Sequence, residues 1–113
     1  MKLLIIDGDQ HPVIDITAVA KEFTVLCAAN YHSKLPLLNG KPYGTRVPIF
    51  RNSADFELVS QLTTVLLLCP EVSLVACCSR DQGLVRAIQR LTKNSNAKYR
   101  RFKTFSHFYS AFY

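Results

Sequence analysis

Eight acidic side chains occur in this chain: Asp7, Asp9, Asp15, Glu22, Asp55, Glu57, Glu71 and Asp81. Three of them fall at equivalent points of the sequence pattern. Asp7 ends the unbroken apolar run Leu3–Ile6, Asp81 follows the fourth predicted strand, Val72–Ser79, and Asp55 stands in the first turn of a helical stretch. Gly8 turns the chain after Asp7, and Asp9 comes next. Carboxylates gathered at one point repel one another, and a cation among them relieves that cost. A cluster of hard oxygen ligands suits Mg²⁺ or Mn²⁺. Such an ion activates water and holds a phosphate oxygen. Taken singly, Asp55 and Asp81 are explained as favourable charges at helix N-termini, and Asp7 as the cap of a loop. Taken together they predict one metal pocket.

The surroundings of these acids are basic. The net charge is +6, with an isoelectric point near 9.4. That balance points to a polyanionic partner, nucleic acid first. Arg86, Arg90, Lys93, Lys98, Arg100, Arg101 and Lys103 crowd the last third of the sequence. If the helix and strand that carry them are neighbours, they make one positive face that binds RNA phosphates with a steep salt dependence. The competing explanation is a solvated face, or a surface for an acidic protein.

The elements that must position these residues follow from apolar periodicity. A continuous apolar run stopped by a turn reads as a strand buried on both faces, as in a parallel sheet covered by helices. Lys2–Asp7 is the first strand. Val13, Ile16, Ala20 and Phe23 recur at helical spacing, which predicts a helix from Pro12 to Phe23. Thr24–Ala28 is a second strand. Asn30–Thr45, with Pro36, Gly40, Pro42 and Gly44, reads as a loop with a short helical turn near Leu35. In it Tyr31, His32 and Tyr43 either pack the loop down or stack on bases. Arg46–Arg51 is a third strand, at an edge because Pro48 cannot donate to a ladder. Asn52 or Ser53 caps a helix over Ser53–Cys69, which Pro70 ends. Val72–Ser79 is a fourth, central strand. Gln82 and Gly83 open a third helix, with Leu84, Val85, Ile88 and Leu91 on one face. Tyr99–Lys103 is a fifth strand. Thr104 caps a last helix, whose stripe Phe105, Phe108, Tyr109 and Phe112 reads as core. Strands alternating with helices predict a single three-layer α/β/α domain over residues 1–113, with a mostly parallel sheet of about five strands. In that fold Asp7 and Asp81 project from one edge of the sheet, where open α/β sheets carry their sites.

With these residues in order, the chain resembles the NYN domains of the PIN-like nuclease superfamily. Those domains begin with a strand closing on D-G-x-N, matched here by Asp7-Gly8-Asp9-Gln10. A basic residue precedes an A-D pair that opens a helix, matched by Arg51 and Ala54-Asp55. A buried strand then ends in S-x-D-x-D-[FL], matched by Ser79-Arg80-Asp81-Gln82-Gly83-Leu84. The resemblance covers nearly the whole chain. It implies a Rossmann-like fold and a metal-dependent ribonuclease, with Asp7, Asp55 and Asp81 as ligands of Mg²⁺ or Mn²⁺ and Asp9 assisting. It implies that Arg51 holds the RNA backbone and that Ser79 orients an acid or a phosphate. Arg80, Arg86, Arg100 and Lys103 join the RNA-binding set. Two positions depart from the pattern. Gln10 replaces the asparagine that would brace the site, and Gly83 stands where the family often has a further aspartate.

Those departures favour a second class of function, in which the same fold binds single-stranded RNA or a protein partner without cutting. The C-terminal aromatics then offer a surface for a homodimer or another protein. A third class, phosphotransfer of the haloacid dehalogenase type, matches only at Asp7 and Asp9. Gln10-His11 does not continue that pattern. Composition bounds the rest. A hydrophobic fraction of 49% excludes a disordered chain. The apolar runs are too short to cross a bilayer, and Asp7 interrupts the first too early for a secretory signal, so the expected location is the cytoplasm. Cys27, Cys69, Cys77 and Cys78 include no C-x-x-C pair. They read as buried free thiols, not zinc ligands.

Overall fold

A computed structural model describes residues 1–113. In chain order its strands are β1 (Lys2–Asp7), β2 (Phe23–Ala29), β3 (Leu37–Leu38), β4 (Lys41–Pro42), β5 (Thr45–Arg46), β6 (Leu74–Cys78) and β7 (Lys98–Phe102). The helices are α1 (Ser53–Leu68), α2 (Gln82–Lys93) and α3 (Phe105–Phe112). Five strands form one sheet in the order β5-β2-β1-β6-β7, and every pairing in it is parallel. β3 and β4 make a separate antiparallel hairpin.

Alternation along β1 divides the core in two. Leu3 and Ile5 face α1 and α2, where they meet Leu58, Leu62, Leu84, Val85 and Ile88. Leu4 and Ile6 face the other way, toward Ile16, Val19, Leu35, Phe102 and Phe108. The fold is therefore the expected three-layer α/β/α arrangement. Chain direction across the sheet reverses at β1, since β2 is laid on one side of it and β6 on the other. The crevice beyond the carboxyl ends of these strands is the switch point where such sheets bind ligands.

The layer over Leu4 and Ile6 departs from expectation. No helix spans Pro12 to Phe23. The segment holds only a 3₁₀ turn at Val19–Lys21, and Phe23 already belongs to β2. The reason lies in its hydrogen bonds. Asp15 Oδ1 accepts from the Thr17 N–H at 2.8 Å, a local bond that competes with helix formation. The Ile16 N–H donates to the Leu37 carbonyl at 2.9 Å and the Leu37 N–H to the Ile14 carbonyl at 2.8 Å. The backbone is thus spent on pairing with the hairpin segment, and Val13 stays 49% exposed. The predicted loop likewise contains that hairpin and a 3₁₀ turn at His32–Lys34.

The third strand is also shorter than expected. Only Thr45–Arg46 pairs, at the sheet edge, and the chain leaves before Pro48. Asn52 precedes α1 with φ 61 and makes no side-chain cap. Left-handed backbone of this kind is tolerated by asparagine. Thr104 does cap α3, accepting from the His107 N–H at 3.2 Å. The aromatic stripe behind it is core chiefly through Phe108, which packs edge-on against Phe23 and Phe102.

No helix is long and apolar enough to cross a membrane. All four cysteines are free, and Cys27, Cys77 and Cys78 are buried. Burial pushes the Cys27 and Cys77 thiols up to about 12, which keeps them protonated and unreactive.

Candidate active site

Asp7, Asp9, Asp55 and Asp81 line one cavity of about 180 Å³, together with Gln10, Asn30, Asn52, Ser53 and Ala54. Each acid arrives by a different route. Asp7 ends β1 and is 4% exposed. Asp9 lies in the 3₁₀ turn Gly8–Gln10 that follows. Asp55 comes from the first turn of α1. Asp81 leaves β6, the direct neighbour of β1, and caps α2 through the Leu84 N–H at 3.0 Å.

The turn after Asp7 requires glycine. A Cβ on Gly8 would stand 2.9 Å from Ala29 Cβ and 3.1 Å from the carbonyl oxygens of Ala28 and Lys34. That close approach lets Asp9 reach across to the end of β2. There its Oδ1 and Oδ2 accept from the Asn30 N–H at 3.0 and 3.3 Å. The Asn30 side chain in turn donates to Ser53 Oγ at 2.8 Å and to the Pro48 carbonyl at 3.0 Å. Asn30 therefore fastens the β1 turn, β2 and the start of α1 to one another. On the opposite flank Gln10 Oε1 accepts from the Arg80 N–H at 2.7 Å and from Ser79 Oγ at 3.1 Å. Ser79 Oγ accepts from the Asp81 N–H at 3.0 Å. Gln10 thus braces the loop that presents Asp81.

The electrostatics of the cavity are those of crowded acids. Burial first, then the neighbouring Asp9 and Asp81 charges, push the Asp7 carboxyl up to about 6, against the opposing effect of the Asp9 N–H. Burial and the charges of Asp7 and Asp81 push Asp55 in the same direction. Asp55 lies beside both Asp7 and Asp81 in the cavity. No group of three His, Cys, Asp or Glu side chains is spaced as a metal-ligand set. The donor chemistry nevertheless fits Mg²⁺ or Mn²⁺, since every charged group in the cavity is a carboxylate. A cation among them would lower the very carboxyls that crowding raises.

The remaining predicted residues do not gather at this cavity. Ser79 is fully buried, so it orients the Asp81 loop and cannot touch RNA. Arg51 lies in the exposed turn before α1 and does not line the cavity. The single positive face is split by strand alternation. Arg100 lies on the α3 side of β7, its guanidinium 5.1 Å from the Phe102 ring centre and 5.3 Å from that of Phe112. Arg86, Arg90 and Lys93 line a surface groove on α2, the opposite layer. Arg101 is turned inward, its Nε–H donating to the Ser79 carbonyl at 3.1 Å. Arg80 and Lys103 stand together in a separate cleft. Gly83 neighbours Asp81, and a Cβ there would stand 3.3 Å from its Oδ1.

Sequence reasoning missed Asn30 and Ser53. The available signal was a lone amide just past the apolar run TVLCAA, two residues beyond the β2 partner of Asp7. Compared with known protein families, with curated proteins and with solved structures, the chain matches none.

Proposed function

We propose that this chain is a metal-dependent endoribonuclease. The observation that carries the reading is the meeting of Asp7, Asp55 and Asp81, from three separate segments, in one cavity at the sheet's switch point. Asp7, Asp55 and Asp81 would hold Mg²⁺ or Mn²⁺, which supplies an activated water and a grip on the scissile phosphate. Asp9 holds the Asn30 N–H and fixes the cavity wall. Gln10 and Ser79 set the Asp81 loop. The likeness of these positions to NYN domains supports the same reading, and the basic surfaces support single-stranded RNA as substrate. Four free thiols, three of them buried, fit the cytoplasm.

The lack of a ready three-side-chain ligand set favours a second reading, a PIN-like module that binds RNA or a protein partner without cutting. One experiment separates them. Purified chain is incubated with single-stranded RNA in Mn²⁺ or Mg²⁺, beside the variants Asp7→Asn and Asp81→Asn. The nuclease reading expects cleavage that falls about a hundredfold or more in each variant, on the scale of losing a group that stabilises transition-state charge. It also expects Mn²⁺ to raise the melting temperature of the parent chain but not of the variants. Equal cleavage by all three proteins removes the nuclease reading. Salt-sensitive binding without turnover in either metal selects the second.

A further inference from the structure

A groove of about 230 Å³ lies between the N-terminal halves of α1 and α2. Asn52, Asp55 and Asp81 line it and line the acid cavity as well, so the two depressions adjoin. Its remaining side chains are apolar. Phe56 and Val59 come from α1, Leu84 and Ala87 from α2. Phe56 is 63% exposed and belongs to neither core cluster. Single exposed rings are common on protein surfaces, but this one stands in a groove that leads to the carboxylates. Gly83 lines the same groove. Its backbone is not left-handed, so the local fold does not call for glycine, which is a poor helix former. A Cβ there would meet only Asp81 Oδ1, at 3.3 Å. Its absence keeps the passage beside Asp81 open.

Beyond the groove the outer surface of α2 is basic. Residues three apart are neighbours on a helix, so Gly83 adjoins Arg86 and Ala87 adjoins Arg90. Arg86, Arg90 and Lys93 are exposed and line a surface that holds no carboxylate. At the rise of a helix they extend about 10 Å along it. An occupant that suits both surfaces carries a flat apolar group and repeated negative charge. The groove is smaller than the roughly 300 Å³ at which pockets begin to enclose drug-sized molecules, so it takes a single ring. A single nucleic-acid strand meets each condition, because every base has a π face and every nucleotide a phosphate.

We propose that this groove is a base-stacking subsite, in which Phe56 is the platform for one base of an RNA strand whose phosphates continue over Arg86, Arg90 and Lys93. The choice of RNA rests on the ribonuclease reading, which puts a phosphate of the same strand at the adjoining acid cavity. The stacking itself does not, because it needs neither metal nor turnover. Stacking on an aromatic ring tolerates every base. The subsite therefore sets where the strand lies along the cavity and leaves its sequence free.

The test uses the full chain in EDTA. Binding of a fluorescent uridine hexamer is compared with that of the same ribose-phosphate strand without bases, and the ring protons of Phe56 are followed by NMR. The expected result is that Phe56→Ala weakens the uridine strand about tenfold or more, the scale of one base stacked on an aromatic ring. The same variant leaves the abasic strand, the salt dependence and the melting temperature as they were, since the ring is exposed. Phe56→Tyr keeps the parent's affinity. Arg90→Gln weakens both strands and lowers the salt slope by about one. The Phe56 signals shift with the uridine strand and not with the abasic one. Equal binding of uridine by the parent and Phe56→Ala, an equal loss with both strands, or no RNA binding by the parent overturns the subsite. An acidic peptide carrying one phenylalanine is titrated beside the strands; if it alone binds in a Phe56-dependent way, the groove belongs to a protein partner and the RNA subsite falls. Cleavage in Mn²⁺ that Phe56→Ala leaves untouched, with binding untouched, removes this inference alone. Phe56-dependent binding by a chain that cuts in neither metal removes the nuclease reading alone.

Discussion

The two sides of the Gly8–Gln10 turn carry opposite charge. On one side four carboxylates line a cavity with no cation among them. On the other, Arg80 and Lys103 line a cleft with no carboxylate. The two share Gln10 as a wall. A net charge of +6 therefore hides a sharp local division, and a polyanion lying across the turn meets repulsion on one side unless a metal ion neutralises it. Fields that separate over one turn allow a basic protein to hold a strand beside an acidic pocket without filling that pocket with its own lysines.

Three substitutions sharpen or break this contrast. The largest effect is expected at Asp7, on the acid side alone. Its folded-state carboxyl is raised to about 6 from 3.8, so the native chain binds that proton more tightly than the unfolded chain. Stability from this group is complete below the unfolded value and is lost as pH rises through about 6. Asp7→Asn removes the penalty. The variant should be more stable than the parent by up to about 3 kcal/mol at pH 8, with the gain shrinking as pH falls toward 4. Urea unfolding across that range reads it out. A gain independent of pH would mean that crowding of charge is not its source.

Next comes the turn itself. Gly8→Ala forces Cβ against Ala29 and two carbonyl oxygens, an overpacking worth about 2 kcal/mol. Because the turn supports both sides, RNA cleavage and metal-free RNA binding should decline together, as measured on the same preparation. Decline of one alone would show the two sides to be mechanically separate. The smallest effect is expected at the shared wall. Gln10→Ala deletes the acceptor of Ser79 Oγ and the Arg80 N–H, at a cost of about 1 kcal/mol in thermal unfolding. Cleavage should fall by more than that loss of stability explains, since the Asp81 loop is no longer held.

The layer over α1 and α2 was legible in the sequence, and the opposite layer was not. Leu58, Leu62, Leu84, Val85 and Ile88 repeat at helical spacing and bury on helices, so pattern and packing agree. Val13, Ile16, Ala20 and Phe23 repeat as regularly, yet only Ile16 and Phe23 are buried, Ile16 outside any helix or strand and Phe23 in β2. There the Asp15–Thr17 bond and pairing with Leu37 settled the backbone, and neither is a periodic signal. Asp7, Asp55 and Asp81 were legible because each ends or begins a strongly patterned element. Asn30 was not, because its importance depends on Gly8 bringing the turn against β2. The positive face failed for a different reason. Consecutive residues of β7 point to opposite layers, so Arg100 and Arg101 could never share a surface.

Asp7 and Asp81 are far apart in the sequence, with β2 and α1 between them. They meet only when β6 has paired with β1. A ribosome-bound or truncated fragment that stops short of that pairing holds its acids apart. The pocket is thus the product of a long-range pairing, and a fragment without β6 leaves Asp7 and Asp55 without Asp81.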